Sequence, residues 1–545
     1  ETEEKLAAVW QEVLDRDKIG INDNFFEIGG DSIKALQIVS KLSRADLKLQ
    51  VKDLFTNPSI RHLSKYVKKE TKARISEIVQ GQMPLTPVQR SFFAANQKER
   101  NHYNQAFMLY RKDGFAEKIV EKVFRKLIEH HDALRMVYRE KNDEIIQHNR
   151  GLEDSVFDLY VYDLKTEKNL EETVYQIATN IQKDISISEG KMIKLCLFKT
   201  TEGDHLLIAI HHLVVDGVSW RILFEDFEAA YGQALQGKPI ELGYKTDSYK
   251  TFSEKLAEYA SSKKLLKEQE YWREISKGKM AFLPKHRQAA HDNYENSRTL
   301  RISLSQMETE QLLIEAHKAY NTQINDLLLT ALLIASRQLT GENRLKILME
   351  GHGRDDILQD VDITRTVGWF TAMYPVFIDL EDETDLSMMI KIVKETLRKI
   401  PNNGIGYGIL KYLRKDEVLL KDEKPPILFN YLGELDHDLT TEQFSSSKLS
   451  AGQSIGEKSA RDASVEIDSV VVGRQLMIST TFNEYEYSPD TISELNQAFK
   501  ESLQMVISHC TGKNETEKTS SDYGYDKLSL EDLEELLNEY ESVDS

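Results

Sequence analysis

The sequence predicts a multidomain protein in which a small all-α unit precedes a much larger α/β unit. The 545 residues are too many for one hydrophobic core. Residues 1–70 carry apolar residues at spacings of three and four, which is typical of amphipathic helices. Over residues 83–510, strand-like and helical runs mix without strict alternation. No repeat of fixed period is visible, so a solenoid is not expected.

The composition excludes several functional classes. The chain has 71 basic and 90 acidic residues, and its net charge of −19 argues against a nucleic acid partner. No apolar run approaches the ~20 residues that a membrane-spanning helix needs, and the acidic start is unlike a signal peptide. Two cysteines, Cys196 and Cys510, are too few for a disulfide framework or a cysteine-rich metal site. We expect a cytoplasmic protein and, since the chain lacks an initial methionine, a piece of a longer polypeptide.

The small unit is predicted to be helical throughout. Residues 2–14 form a first amphipathic pattern, residues 33–42 a second and residues 60–69 a third. A polar, charged stretch without a clear apolar face comes next. Residues 71–82 are therefore predicted to be a linker.

A serine stands at a Gly-Gly turn directly before the second helical pattern, in the segment Asn-Phe-Phe-Glu-Ile-Gly-Gly-Asp-Ser-Ile (24–33). The glycines allow a tight turn and leave Ser32 clear of neighbouring side chains. An ordinary helix N-cap at Asp31 or Ser32 is the simpler interpretation of Gly-Asp-Ser alone.

The flanking residues make this segment more specific. With them it resembles the phosphopantetheine attachment site of peptidyl carrier domains in nonribosomal peptide synthetases. The resemblance implies a four-helix carrier bundle over residues 1–70, with 4′-phosphopantetheine attached covalently to Ser32 by a phosphopantetheinyl transferase. Substrates would then be held as thioesters on a swinging arm. The matching flanking residues are Leu6, Trp10, Leu14, Asp53, Leu54, Phe55, Pro58, Ser59 and Ile60.

Two adjacent histidines follow an apolar strand pattern at residues 206–210. Neighbouring residues on a strand point to opposite faces. If the strand extends through both His211 and His212, only one of them can face a given cavity and the other is structural. A purely structural pair is the alternative. The segment His-His-Leu-Val-Val-Asp-Gly (211–217) resembles the active-site motif of the condensation and epimerisation superfamily, which has a chloramphenicol acetyltransferase-like fold.

Four further segments distinguish an epimerisation domain from a condensation domain, which forms peptide bonds. In this order they resemble the signature motifs of epimerisation domains, whereas condensation domains lack the Glu-Gly-His-Gly-Arg form. The resemblance implies an epimerisation domain over residues 83–510, with an N-lobe at about 83–270 and a C-lobe at about 271–510 around a tunnel. One departure is Asp355, where the family usually has glutamate. The segments are Glu-Gly-His-Gly-Arg-Asp (350–355), Arg-Thr-Val-Gly-Trp-Phe-Thr (365–371), Gly-Ile-Gly-Tyr-Gly (404–408) and Phe-Asn-Tyr-Leu-Gly (429–433).

The same resemblance implies roles for single residues. His212 would be the functional histidine of the pair. Asp216 would be structural and paired with an arginine, for which Arg135 is the matching residue. Arg354 and Trp369 would support the active site.

Inversion of an α-carbon requires a base beside a carbonyl and a group that stabilises the enolate. A thioester acidifies the α-proton, so neither pyridoxal nor a metal is strictly needed. Glu350 is the candidate base, because burial in a cleft would raise its pKa above the ordinary value of ~4.3. His212 would stabilise the oxyanion or deliver a proton, and Asn430 and Tyr431 would add polar groups. One-base and two-base mechanisms both stay open.

Three alternatives are open at this point. His211, His212, His352 and Glu350 could surround zinc, but the sequence has no helical His-x3-His pair and no cysteine ligand there, so we expect no metal. A condensation domain would form an amide bond instead. A degenerate domain would only scaffold its neighbours, and it would be favoured if His212 or Glu350 were missing, whereas both are present.

The end of the chain predicts a docking element. Residues 511–525 are polar and are predicted to be a second linker. Residues 526–545 carry an apolar stripe, with eight acidic residues and one basic residue, a net charge of −7. Ser529 and Asp532 match the S-x-x-D pattern of a helix start. A solvated tail, or a helix that folds back on the domain, is the alternative.

The resemblance implies partners for both ends of the chain. Residues 526–545 would be a donor docking helix that binds a basic groove on the downstream condensation domain of the next synthetase. An upstream adenylation domain, outside this chain, would choose the amino acid. Similarity to the initiating modules of gramicidin- and tyrocidine-type synthetases points to phenylalanine.

Overall fold

The computed structural model describes every residue except 1, 46, 70–77, 96–97, 153–156, 281, 288–292, 359, 435–440, 442, 525–527, 531 and 534–545. It consists of an N-terminal helical unit and a large unit of two lobes. The helical unit has its own core around Trp10 and Phe25, separate from the core that the two lobes share. Its elements are α1 (Thr2–Leu14), α2 (Ser32–Arg44), β1 (Leu47–Lys48), α3 (Val51–Thr56), α4 (Ile60–Leu63) and β2 (Lys68–Lys69).

The predicted bundle of four helices is confirmed, with one difference at its end. Helix α4 stops at Leu63, whereas the apolar pattern predicted a helix over residues 60–69. The backbone of Lys68 and Lys69 pairs with β1 in an antiparallel ladder instead, so the chain is extended there. This contact between distant residues cannot be inferred from local spacing.

The N-lobe follows the helical unit and contains both sheet and helices. Its first strand, Gly81–Met83, pairs with a later strand, so the end of the predicted linker (71–82) belongs to the lobe. The elements are β3 (Gly81–Met83), α5 (Pro87–Ala95), β4 (Asn104–Arg111), α6 (Glu117–His130), β5 (Met136–Lys141), β6 (Glu144–Asn149), β7 (Phe157–Asp163), α7 (Leu170–Lys183), β8 (Ile193–Lys199), β9 (Asp204–His211), α8 (Gly217–Leu235), α9 (Tyr249–Tyr259) and α10 (Lys263–Leu266). Helix α11 (Gln269–Lys277) comes next and packs on the C-lobe. Strands β4, β9, β8 and β7 are neighbours in that order, and β3, β6 and β5 form a small second sheet.

The C-lobe is built on a six-stranded mixed sheet. Its elements are β10 (Ser297–Ser303), α12 (Gln306–Glu310), α13 (Ile324–Thr340), β11 (Arg344–Gly351), β12 (Ala372–Asp379), α14 (Leu386–Arg398), α15 (Ile405–Gly408), α16 (Glu417–Leu420), β13 (Ile427–Glu434), β14 (Ser445–Ser446), β15 (Val465–Val472), β16 (Gln475–Asn483) and α17 (Pro489–Thr511). The sheet order is β10-β16-β15-β13-β11-β12, and β11, β13 and β15 are parallel to one another. Helix α13 is apolar around most of its surface and is buried against α14, α17 and β11.

One segment of the C-terminal half crosses to the other lobe. Strand β14 pairs with β4 and extends the N-lobe sheet, although it lies within the range predicted for the C-lobe. Phe444 packs against Phe227 of α8, with ring centroids 5.5 Å apart. The backbone oxygen of Gln453 is 2.9 Å from His102 Nε2. The two lobes are therefore tied by an exchanged segment that the sequence did not predict.

The residues after α17 pack on the C-lobe, where the sequence predicted a linker (511–525). Asp522 forms an ion pair with the buried Lys394, and the hydroxyl of Ser521 donates to Glu395 at 2.6 Å. These contacts hold the chain against α14 up to Gly524. Within the described part of the chain, none of the helices combines the length and apolar character needed to cross a bilayer.

A candidate active site between the two lobes

Glu350 lies at the end of β11 and faces the space between the lobes. In the parallel ladder, Met349 is opposite Phe429, which brings the next residues, Glu350 and Asn430, side by side. Asn430 Nδ2 donates to Glu350 Oε2 at 3.0 Å. Asn430 is in turn opposite Asp468 on β15. The parallel strands thus place a carboxylate, an amide and a second carboxylate in one row, although they are far apart in the sequence.

The carboxyl group of Glu350 is a weaker acid than an ordinary glutamate. Burial is the main cause, and the negative charges of Asp468, Asp462 and Glu466 add to it, so that the pKa rises to about 8. Burial also raises the pKa of Glu466 to about 7. At neutral pH, Glu350 is therefore predominantly protonated, and its carboxylate form is a stronger base than a solvent-exposed glutamate.

His212 stands directly after β9, where a short 3₁₀ turn begins. Its Nδ1 is 2.8 Å from the backbone oxygen of Val215, and its ring lies 4.3 Å from that of Trp369 between centroids. Burial lowers the pKa of His212. The imidazole is therefore neutral at physiological pH and is held in place by a backbone contact and an aromatic neighbour.

His211 has no accessible surface and points away from the cavity between the lobes. Its Nδ1 accepts from the backbone N–H of Leu213 at 3.1 Å, so the proton is on Nε2, which donates to the backbone oxygen of Arg100 at 2.7 Å. Burial lowers its pKa to about 3. The two histidines face different ways, but strand β9 ends at His211 and His212 begins the turn that follows, so the cause is the turn and not alternation along the strand.

His212 and Glu350 line one cavity of about 410 Å³ between the lobes. Residues from both lobes form its walls: Val88, Ser91, Phe92, Ala95, Tyr103, His212, Glu350, Trp369, Thr371, Met373 and Asp462. A neighbouring cavity of about 790 Å³ shares several of these walls and extends among Phe252, Phe370 and Tyr407. The two predicted catalytic side chains thus line the same cavity between the lobes, next to a second and larger one.

Asp216 has a structural position, but the predicted pairing with Arg135 is wrong. Asp216 caps α8 by accepting from the backbone N–H of Ser219 at 2.7 Å, and it also accepts from Phe370 N–H at 3.0 Å. Its ionic partner is Arg354, at 3.2 Å. Arg135 pairs with Asp132 at 2.7 Å. Asp132 is three residues from Arg135 and is in direct reach, whereas Arg354 reaches Asp216 across the lobe boundary.

Arg354 joins the first and second signature segments. Its guanidinium donates to the backbone oxygens of Ile363 and Thr366, at 2.9 and 2.8 Å, and stacks on Phe370 at 3.9 Å. Gly353 makes this approach possible: it has φ +65°, and a Cβ there would lie 1.7 Å from the backbone oxygen of Phe370. The Gly-Arg pair therefore fixes the segment that carries Trp369 against His212.

The helical unit docks beside this site through α2. Ser32 is exposed at the first position of α2, after Asp31, whose side chain accepts from Lys34 N–H at 2.8 Å. Ile33 packs on the backbone of Gly433, with its Cδ1 3.1 Å from the position a Cβ would occupy. Lys34 is 3.5 Å from Glu434. The serine is thus held close to the end of β13.

A second contact of α2 involves the second signature segment. Arg365 donates to Ser40 Oγ at 2.8 Å and also pairs with Glu225 and Asp226 of α8. Glu225 in turn lies 3.5 Å from Arg44 of α2. Buried and charged contacts therefore join the helical unit to both lobes.

Tyr431 is not brought to Glu350. It follows Asn430 on β13 and is absent from the walls of the 410 Å³ cavity. Burial raises the pKa of its hydroxyl, with smaller effects from Asp31 and Glu434, which lie on the side of the helical unit. Among the predicted polar groups, Asn430 contacts Glu350 and Tyr431 faces the docked unit.

The described residues contain one group of side chains with metal-ligand geometry, and it differs from the zinc set considered above. It consists of His130, His131 and Asp226. Asp226 already accepts from Arg365 at 2.6 Å and lies 2.9 Å from His131 Nε2. A guanidinium in this position repels a cation, so the group is better described as a buried ion-pair network.

Three residues at this site escaped the sequence analysis: Gln105, Tyr103 and Asp462. Gln105 Nε2 is 3.1 Å from His212 Nε2, and Tyr103 stacks on the His212 ring at 5.7 Å. Asp462 lines the cavity and acts on the charge of Glu350. The sequence offered one sign of a role for Gln105: it is a polar residue within an apolar strand. Its partner His212 could not be inferred, because it is 107 residues away in the sequence.

The predicted helix start at the end of the chain is present. Ser529 Oγ accepts from Asp532 N–H at 3.0 Å, and Asp532 accepts from Ser529 N–H at 3.3 Å, which is a capping box. Leu533 is buried. The remainder of the predicted docking helix lies outside the described residues.

Two family models match the chain. The model described as "Condensation domain" matches residues 79–529, and the model described as "Phosphopantetheine attachment site" matches residues 4–67. Bacitracin synthase 2 of Bacillus licheniformis is 96% identical over all 545 residues, and gramicidin S synthase 1 of Brevibacillus brevis is 43% identical over 550 residues, 99% of this chain. The chain spans 21% of the first relative and 50% of the second.

A solved structure is similar to the two lobes. It is the epimerization domain from the third module of tyrocidine synthetase B, 43% identical, with a TM-score of 0.78 over 82% of this chain and the whole of that one. The SgcC5 protein of Streptomyces globisporus is 15% identical with a TM-score of 0.63, which shows a common fold.

Proposed function

The chain belongs to the condensation-domain family, in its epimerisation branch and preceded by a phosphopantetheine carrier domain, and from this membership we propose that it inverts the α-carbon of an aminoacyl or peptidyl thioester carried on Ser32. The L-thioester would become an L/D mixture from which a downstream enzyme takes the D form. The observation that carries the proposal is Glu350, a carboxyl group with a pKa of about 8 in a cavity shared with His212.

The surroundings of Ser32 fit a covalently attached phosphopantetheine. Its hydroxyl is exposed, and it starts a helix of 13 residues, whose N-terminal end favours a phosphate. The group supplies a thiol that holds the substrate as a thioester and so acidifies its α-proton. The contacts of Ile33 with Gly433 and of Lys34 with Glu434 support delivery of the substrate along the end of β13.

Glu350 is the proposed base. In its carboxylate form it would take the α-proton, and in its acid form it would return one, because a pKa of about 8 lets both forms exist near neutral pH. Asn430 orients the carboxyl group through the 3.0 Å hydrogen bond. Trp369 and Phe92 help to exclude water, which strengthens electrostatic effects in the cavity.

His212 is proposed to act on the charge that develops at the substrate's carbonyl oxygen. It lines the same cavity as Glu350, from the other lobe. A substrate between the lobes would therefore meet a carboxyl group on one side and an imidazole on the other. This arrangement supports a mechanism in which Glu350 of the C-lobe acts on the α-proton and His212 of the N-lobe acts on the carbonyl oxygen.

The partners of the chain are proposals, since the chain spans about a fifth of bacitracin synthase 2. A phosphopantetheinyl transferase would modify Ser32, and an upstream adenylation domain would load it. The strongly acidic segment 526–545 would bind the condensation domain of the next synthetase. The capping box at Ser529 and Asp532 supports a helix there.

The decisive experiment measures α-proton exchange. The apo-protein is loaded on Ser32 by a phosphopantetheinyl transferase from a panel of aminoacyl-coenzyme A thioesters, with release of adenosine 3′,5′-bisphosphate. Deuterium incorporation and chirality are then followed in heavy water. We expect exchange and an L/D mixture with loaded wild type, and none with Ser32→Ala, which cannot be loaded. Amide formation with a second aminoacyl carrier, without exchange, would show a condensation domain. Neither reaction would show a scaffold.

A further inference from the structure

Gln105 of β4 lies between Trp220 of α8 and His212. Trp220 Nε1 donates to Gln105 Oε1 at 2.8 Å. Gln105 Nε2 is 3.1 Å from His212 Nε2. On the other side of the ring, His212 Nδ1 is 2.8 Å from the backbone oxygen of Val215. The four groups form a continuous chain of hydrogen bonds.

The direction of every bond in this chain follows from the indole. An indole N–H can only donate, so the amide atom that faces Trp220 is the oxygen. The amide nitrogen of Gln105 therefore faces His212 and donates to its Nε2, which must carry a lone pair. The ring proton is then on Nδ1, where it is donated to Val215. A backbone oxygen is only an acceptor, so both ends of the chain require the same tautomer.

The orientation is also held by packing. Trp220 is buried and its ring lies 4.7 Å from Phe107 and 5.3 Å from Phe224 between centroids. Rotation of the Gln105 amide would bring its NH₂ group against the indole N–H. Two donors would then face each other, and a hydrogen bond would be lost.

We propose that Gln105, oriented by Trp220, is a positioning residue that keeps His212 in the neutral Nδ1–H form with its Nε2 lone pair occupied. The inference rests on the proposed epimerisation and specifies the state in which His212 enters it. In the resting enzyme His212 has no proton on Nε2 to donate, so the role proposed for it at the substrate's carbonyl oxygen requires that Nε2 first take up a proton. The dissociable proton of the His212–Glu350 pair is then on Glu350.

The charged and titratable groups around His212 come from several segments. His211 and Asp216 flank it in its own segment. Tyr103 stacks on it from the residues before β4, and Glu350 and Asp462 share its cavity from the C-lobe. None of these is bonded to Nε2 among the described contacts, so the occupant of the lone pair is Gln105.

The test is the tautomer of His212, read by ¹⁵N–¹H correlation spectra of the full chain labelled at histidine and assigned by difference from His212→Ala. We expect wild type to show a protonated Nδ1 and an unprotonated Nε2. Trp220→Phe, which replaces the indole by a smaller aromatic ring and removes the N–H, should allow the amide to turn and give a mixture of tautomers. Gln176→Leu, an exposed amide on α7, should leave the His212 signals unchanged.

Gln105→Glu provides a second test. A carboxylate can only accept, so it should draw a proton to Nε2 and raise the midpoint of the His212 titration by about one to three pH units. The rate of α-proton exchange at saturation should fall, with the apparent KM unchanged, because Gln105 lies behind His212. Wild type with its proton on Nε2 would overturn the inference, as would unchanged spectra of both Trp220→Phe and Gln105→Glu. These spectra require no turnover, so failure of the epimerase proposal would be seen separately.

Discussion

Glu350 accepts a hydrogen bond of 3.0 Å from Asn430, and the two residues occupy adjacent positions on neighbouring parallel strands. On its other side Asn430 is opposite Asp468, so a neutral amide separates two carboxyl groups in one row. A neutral donor in this position stabilises the carboxylate form of Glu350, whereas burial and the charge of Asp468 oppose it. The pKa of Glu350 therefore depends on the balance between the hydrogen bond from Asn430, which lowers it, and burial with the charge of Asp468, which raise it.

Glu350→Gln should abolish epimerisation while leaving the carrier functional. An amide of the same shape cannot take a proton, and loss of a general base typically lowers a rate by about 10²–10⁴. The measurement is deuterium incorporation into the loaded aminoacyl thioester in heavy water. Loading of Ser32 should equal that of wild type, which serves as the control. Exchange at a near-normal rate would remove Glu350 from its proposed role.

The rate of wild-type epimerisation should rise with pH up to about 8. The active base is the carboxylate of Glu350, and its pKa of about 8 means that the ionised fraction increases as pH approaches that value. Below the midpoint the rate should fall about tenfold per pH unit. Initial rates between pH 6 and 9, corrected for thioester hydrolysis, provide the measurement. A flat profile over this range would contradict the raised pKa.

Asn430→Ala should move the same pH profile to higher values. The substitution removes the donor that stabilises the Glu350 carboxylate and leaves the negative charges of its neighbours in place. We expect a midpoint about one unit higher, as for loss of one hydrogen bond to a charged group. The rate at the alkaline plateau should change less than the rate at pH 7. An unchanged midpoint would show that Asn430 does not act on Glu350.

Reversal of one charge in the contact between Lys34 of the helical unit and Glu434 of the C-lobe should slow the reaction of substrate that is attached to Ser32. Lys34 and Glu434 are 3.5 Å apart and partly accessible, so the pair is worth about 1 kcal/mol or less. Lys34→Glu or Glu434→Lys alone should therefore lower the rate several-fold. The double variant exchanges the charges and should recover most of the loss. Free aminoacyl-pantetheine should react equally in wild type and Glu434→Lys, because it does not need docking.

Deletion of residues 526–545 should separate epimerisation from transfer. We expect the truncated protein to epimerise substrate on Ser32 at the wild-type rate, since none of the residues assigned to the site belongs to this segment. Transfer to the downstream synthetase should be lost, because the acidic helix would no longer meet a basic groove. Product formation with that synthetase is the readout, at low and high salt. Unimpaired transfer would show that the segment is not a docking element.

Short segments were enough to identify most of the candidate site. Ser32, His212 and Glu350 each stand where an element begins or ends: Ser32 at the first position of a helix, His212 in the turn directly after a strand, and Glu350 near the end of a strand. Such geometry depends on contacts within a few residues, so the sequence alone carries it. The composition and the two kinds of periodicity likewise predicted a helical unit before a mixed α/β unit.

The tertiary structure decided which distant residues meet and what their surroundings do to them. Arg354, not Arg135, pairs with Asp216, because folding brings the C-lobe segment against the start of α8. Gln105 reaches His212 only when β4 and β9 pair. The pKa of Glu350 rises to about 8 because the assembled lobes remove it from water beside other carboxyl groups. Long-range pairing and desolvation arise from packing between remote segments, and local spacing does not specify them.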